Sequence, residues 1–211
     1  LQFQILILNN ELVMTDEECE QIWEFFRLLP DEPAEQRSKK DAFLREFREA
    51  SDGRILANTL MVEALVSRVP EYVEPALLVG HVYGFNDESV DVLLTLLRQD
   101  WHHRHEDIVL ALAALKAPRA VEDLDWATRW VPSYLEWDEN RVLARKAAYA
   151  LGAIDTPEAR AAIFALSKDA DPVIARHGQE QLMLSATIAP AAEKRSILAR
   201  TYEWIAGGKF E

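Results

Sequence analysis

One cysteine, Cys19, stands in 211 residues, so no internal disulfide framework holds this chain. Glycine is also scarce, with seven residues, and alternating Val/Ile/Thr runs are few. Both shortages argue for helices rather than sheets. No apolar run is long enough to cross a bilayer. The opening LQFQILIL is apolar for only eight residues and has no basic flank, so no signal peptide is expected there. There is no glycine-rich phosphate loop, and no Ser-His-Asp order sits in a strand–turn–helix setting. Cys19 lies within an amphipathic stretch, where a packed thiol is expected rather than a nucleophile.

What the chain does have is apolar surface and acid. Hydrophobic residues make up 49%, which excludes a disordered polymer. The formal charge of −13 is unevenly placed. Residues 1–140 hold 28 acidic and 13 basic side chains, a net of −15, whereas residues 141–211 hold 8 and 10, a net of +2. An acidic surface repels phosphate backbones, so nucleic acid is not expected as a partner. It steers a basic protein toward itself, and it also keeps a protein soluble. Without a membrane segment, a cytoplasmic protein is expected.

Helices punctuated by turns run along the chain. Residues 1–13 alternate in polarity (Phe3, Ile5, Ile7) and predict a short strand or an arm laid on the first helix. Thr15-Asp16-Glu17-Glu18 is a capping box that opens that helix, with Ile22, Phe25, Phe26 and Leu29 on its apolar face. DEPAEQ reads as a polar connection, followed by helices over 37–50 and 54–69. Further helices are expected over 72–84, 87–99, 103–116, 119–131, 139–153, 157–168, 172–185 and 190–206. Short turns at Asn86-Asp87, Asp100, Pro118, Pro132, Asp138, Pro157, Asp171-Pro172 and Pro190 separate them.

Three of these segments overlay. RHEDIVLAL (104–112), LARKAAYAL (143–151) and IARHGQEQL (174–182) end on Leu112, Leu151 and Leu182, 39 and 31 residues apart. A proline follows each, at Pro118, Pro157 and Pro190, and then a second helix begins. A period of about 30–40 residues is that of two-helix repeats. The middle copy is the cleanest. Its small residues Ala144, Ala147, Ala148 and Ala150 make a thin helix that a neighbour can approach, and Gly152 is expected to loosen its end.

The run Ala144-Arg145-Lys146-Ala147-Ala148-Tyr149-Ala150-Leu151-Gly152, followed by Asp155-Thr156-Pro157-Glu158-Ala159, resembles the HEAT repeat, in particular the short bacterial type related to phycobilisome lyases. The match covers about residues 103–187. It implies an all-α fold: an α-solenoid of HEAT-like helix pairs wound as a right-handed superhelix. The whole of 1–211 would be one domain, with an atypical N-terminal cap over 1–70 and helix-pair repeats over 71–211.

Two clusters attract attention as sites. In Trp101-His102-His103-Arg104-His105-Glu106-Asp107, the residues His102, His105 and Glu106 have helical spacing that can hold a metal if other ligands join them. HEAT-type deoxyhypusine hydroxylases carry repeated His-Glu pairs around two irons. Here His105-Glu106 is the one such pair, because the aligned positions are Ala144-Arg145 and Ala175-Arg176. No metal or other cofactor is therefore expected, and a polar helix start accounts for the residues equally well. The second cluster runs from Glu122, Asp123 and Asp125 through Trp126 and Trp130 to Tyr134, Glu136, Trp137, Asp138 and Glu139. It falls in the longer of the two repeat intervals, where extra chain maps to a binding edge. Trp126 and Trp130 also fit a core stripe; Tyr134 and Trp137 lie outside that stripe.

Small acidic HEAT proteins resemble bacterial immunity proteins, which neutralise a toxin by covering its active site. That resemblance implies a non-catalytic protein-binding module with a cognate toxin, basic and acting on nucleic acid, as its partner. The expected contact residues are Trp101, Glu106, Asp123, Trp126, Tyr134, Glu136, Trp137, Asp138 and Glu139, with no catalytic residue. The alternatives from other classes are a HEAT-type enzyme, lyase-like, metal-dependent hydroxylase-like or DNA glycosylase-like, and an adaptor or scaffold subunit. Neither DNA nor a membrane is an expected partner.

Overall fold

The computed structural model describes residues 13–185, and among them there is no strand. The helices are α1 (Asp16–Arg27), α2 (Pro33–Glu46), α3 (Gly53–Ser67), α4 (Pro70–Tyr83), α5 (Ser89–Leu97), α6 (His105–Leu115), α7 (Val121–Ala127), α8 (Val142–Ile154) and α9 (Pro157–Leu166). A further helix, α10, runs over 172–185. Short 3-10 turns lie at Pro118–Ala120 and Ser133–Leu135. The strand or arm expected over 1–13 falls, but for Val13, outside the described residues, as does the helix expected over 190–206.

Local chemistry explains most boundaries. The capping box forms as its sequence demands: Thr15 Oγ1 accepts from Glu18 N at 3.2 Å, and Glu18 Oε2 accepts from Thr15 N at 2.9 Å. Asp52 caps α3 through its side chain, and Thr156 caps α9. One turn occurs three times. Arg68, Lys116 and Asp155 each close a helix with positive φ (54°, 51° and 56°), the next residue is extended, and a proline follows. Proline forces its predecessor out of the helical region and then supplies the first residue of the next helix or 3-10 turn. A chain poor in glycine thus turns sharply on ordinary residues.

Some boundaries differ from the sequence expectation. The second helix starts at Pro33, so most of DEPAEQ is its first turn rather than a connection. It stops at Glu46 because Arg48 and Glu49 adopt positive φ (52° and 49°). The expected 119–131 helix contracts to Val121–Ala127 after a 3-10 turn. The next one starts at Val142 rather than 139, because Asp138 holds the preceding loop. Gly152 does not loosen a helix end; it lies inside α8. A Cβ there would come within 2.7 Å of Gln181 Oε1, so this glycine admits α10.

Packing follows a regular order. The helices α3, α5, α7 and α9 touch in succession, as do α4, α6 and α8. The two series are tied by α3–α4, α5–α6, α7–α8 and α8–α9, and α1 lies on α4. Between them runs an almost wholly aliphatic core that includes Leu60, Leu93, Leu96, Ile108, Leu112, Leu124 and Leu151. The alanines of α8, Ala144, Ala147, Ala148 and Ala150, are all buried, which lets α6, α7 and α9 approach it closely. At the other end, Phe25 stacks on Phe43 at 4.2 Å, and Tyr83 donates to Lys40 O at 2.8 Å, attaching α2 to α1 and α4. No described helix is long and apolar enough to cross a membrane.

Candidate functional site

The segment between α7 and α8 is the longest connection between helices in the described chain, and a buried pair of histidines underlies it. His102 and His105 are both fully buried, with their rings stacked at 4.4 Å. His102 Nε2 donates to Leu96 O at 2.9 Å, and its Nδ1 accepts from Arg104 N at 3.1 Å. His105 Nε2 donates to Gln99 O at 2.6 Å, and its Nδ1 accepts the Tyr134 hydroxyl at 3.0 Å. Both rings are neutral in this arrangement, since each has one donating and one accepting nitrogen. Burial lowers the pKa of His102 and takes that of His105 down to about 4. Burial also pushes Tyr134 up to about 12.

Three aromatic rings, Trp101, Trp130 and Tyr134, meet this pair, and His103 backs the third. Trp101 meets His102 edge-on at 5.0 Å, Trp130 meets His105 edge-on at 4.8 Å, and His103 stacks on Tyr134 at 4.6 Å. These contacts clamp the turn before α6 to the loop after α7. Glu106 pairs with Lys146 of α8 at 2.7 Å. The His102, His105 and Glu106 set is therefore occupied within the fold. Among the described residues, no three His, Cys, Asp or Glu side chains are placed to share a metal ion.

From this base the loop projects outward. Leu135 is buried and anchors it. Asp138 closes it, with Oδ1 accepting from Asn140 N at 3.0 Å and Oδ2 from Val142 N at 2.5 Å. Between these two anchors, Glu136 and Trp137 are turned to solvent. Trp137 is 78% exposed, yet its indole N–H donates to Tyr134 O at 2.8 Å. It is thus an exposed aromatic side chain whose N–H is tied to its own loop.

The expected contact residues fall into two groups. Trp101, Tyr134, Trp126 and Asp138 have intramolecular work. Trp126 stacks on Trp130 at 4.8 Å and lies 4.0 Å beneath the Arg98 guanidinium, while Asp123 pairs with Arg98 at 2.6 Å. Glu106 belongs with these through Lys146. By contrast, Glu136, Trp137 and Glu139 are exposed, and neither carboxylate has an ion pair among the described residues. Nearby, Asp125 is taken by Arg129 at 2.9 Å. Cys19 is half-buried against the core, and burial together with the Asp16, Glu18 and Glu20 carboxylates raises its thiol to about 11.

Reading the sequence did not single out a cleft of about 380 Å³ beside this loop, where the start of α8 faces α10. Arg145, Arg176, His177 and Glu180 line it together with Asp138 and Asn140. A signal was available: Arg145 and Arg176 hold the same position in successive repeat copies, and equivalent positions of stacked repeats fall side by side. Comparison with known proteins finds no matching family model, no matching curated protein and no matching solved structure.

Proposed function

We propose that this protein is a non-catalytic protein-binding module built as a right-handed HEAT-like solenoid. The alternating order of helix contacts supports the solenoid, because α3–α4, α5–α6 and α7–α8 touch as pairs and, from α3 to α9, each helix touches its next-but-one. The observation that carries the function is Trp137. A large aromatic side chain, 78% exposed and hydrogen-bonded through its own indole N–H, has less rotamer freedom to lose on binding than an untethered one. Tryptophan is among the residues that dominate binding interfaces. The exposed carboxylates of Glu136 and Glu139 flank it, on the acidic portion of the chain.

The partner that fits this edge is a basic protein. The specific reading is a cognate bacterial toxin acting on nucleic acid in the cytoplasm, whose active site the loop covers. Charge complementarity speeds capture, and the aromatic anchor holds it. Co-expression with the product of the adjacent reading frame tests this. Restored growth of cells that the neighbour otherwise kills, together with a stable complex on gel filtration, is the expected result. A harmless or unbound neighbour overturns the toxin reading. Stoichiometric iron or zinc in the purified protein would overturn the non-catalytic one.

A further inference from the structure

We infer that the cleft between α8 and α10 binds a free α-amino acid as its zwitterion. The inference stands independently of the protein-binding role of Trp137.

The starting point is an unmet hydrogen bond. His177 is 3% exposed and lines the cleft. Its Nε2 donates to Asn140 O at 2.9 Å, which leaves Nδ1 as an acceptor in the neutral ring. Among the described residues that nitrogen has no hydrogen-bond partner. The group nearest to supplying one is the Glu180 carboxylate at 3.6 Å, and a carboxylate is itself an acceptor. With the ring neutral, the missing partner is a donor. A cationic N–H satisfies both groups together: it donates to Nδ1 and neutralises Glu180 beside it. Buried polar atoms without partners are rare in folded proteins, which makes this one informative.

The other wall carries the opposite requirement. Arg145 is exposed and has no ion pair among the described residues. Arg176 reaches Glu180 at 4.0 Å, the outer limit of a contact. Both arginines line this one cleft, and guanidinium groups are suited to holding a carboxylate. Asp138 does not compete for them strongly, because both of its oxygens already accept backbone N–H groups. An anion alone leaves Nδ1 unmatched, and a cation alone leaves Arg145 unmatched. An α-ammonium beside an α-carboxylate matches both, and about 380 Å³ has room for a side chain as well. Glu180 is half exposed, so its carboxylate is free to stay against the arriving ammonium group.

The test is calorimetric titration of the full chain with the twenty free L-amino acids, each up to about 10 mM, a range that detects weak binding. At least one is expected to bind saturably at one site, and the His177 imidazole signals in NMR spectra should shift with it. Its N-acetyl form and its carboxamide should each bind at least about tenfold more weakly, as should the R145A and E180Q variants. Both substitutions fall on exposed side chains and leave the core intact. Absence of binding by every amino acid overturns the inference. So does equal binding of a blocked form, or R145A binding as tightly as the unaltered protein.

Discussion

Tyr134 donates its hydroxyl proton to Nδ1 of the fully buried His105 across 3.0 Å, joining the loop after α7 to the first residue of α6. Replacing Tyr134 with Phe removes the donor and leaves a buried acceptor unmatched. The cost is about 1–2 kcal/mol of stability, measured by urea denaturation at pH 7. Because the same hydrogen bond anchors the loop backbone that holds Trp137, Y134F should also weaken partner binding.

A pH dependence follows from the same histidine. His105 titrates near 4 in the folded chain and near 6.5 when unfolded. Between these values the unfolded chain takes up a proton that the folded chain refuses. Stability therefore rises with pH across this window and is lost as pH falls from about 6.5 toward 4, by roughly 3 kcal/mol for this one group. His102, lowered by the same burial, acts in the same direction. Urea midpoints at a series of pH values should show the slope, and H105Q should flatten it. An equal slope in H105Q would assign the effect to other groups.

Arg48 bridges two carboxylates. It contacts Glu18 at 2.5 Å and Glu63 at 2.7 Å, the latter being 5% exposed as a residue. R48A strands the Glu63 charge inside the protein and should cost about 2–4 kcal/mol. R48K keeps the charge but not the fork, so its loss should be intermediate. Thermal unfolding of the three proteins checks the order.

Two helical glycines should behave oppositely. In G152A the new methyl meets the far end of the flexible Gln181 side chain, and alanine favours the helix, so stability should change by less than about 1 kcal/mol. In G178A the methyl comes within 2.4 Å of Ser167 N and 2.7 Å of Leu166 C, which are backbone atoms. That clash should cost about 2 kcal/mol or more. Denaturation midpoints of the pair decide whether α10 packs on α8 and α9 as described.

The two exposed-edge and stacked tryptophans also separate. W137A should leave stability within about 0.5 kcal/mol while weakening partner binding by about 2 kcal/mol or more. W126A removes a stacked, half-buried ring and the platform under Arg98, so it should lower stability first. A W137A protein that binds its partner unchanged would move the interface elsewhere.

Much of the architecture is legible in the residues themselves. The capping box at Thr15 and Glu18, the prolines at positions 70, 118 and 157, and the apolar spacing on α6, α8 and α9 all act over a few residues, so local chemistry suffices to place them. The buried histidines were less accessible. His102 and His105 resemble metal ligands in sequence, because spacing shows which side chains share a face but not which carbonyls will meet them. The start of α2 at Pro33 was open to misreading, because a proline after two acidic residues marks a turn and a helix start equally well.

By itself, then, the sequence determined that the chain is helical, where most helices begin and end, and that an acidic, tryptophan-bearing stretch precedes the plain repeat at Arg141–Pro157. Tertiary structure alone decided which of those tryptophans and acids are free. Trp126 and Trp137 are chemically the same residue, and so are the carboxylates of Asp123 and Glu139 in kind. The difference lies in partners distant in the chain: Arg98 reaches Asp123 and Trp126, Lys146 reaches Glu106, and His105 takes Tyr134, whereas Glu136, Trp137 and Glu139 are left facing water. Such contacts depend on how one helix stacks on the next, which no short stretch of sequence encodes.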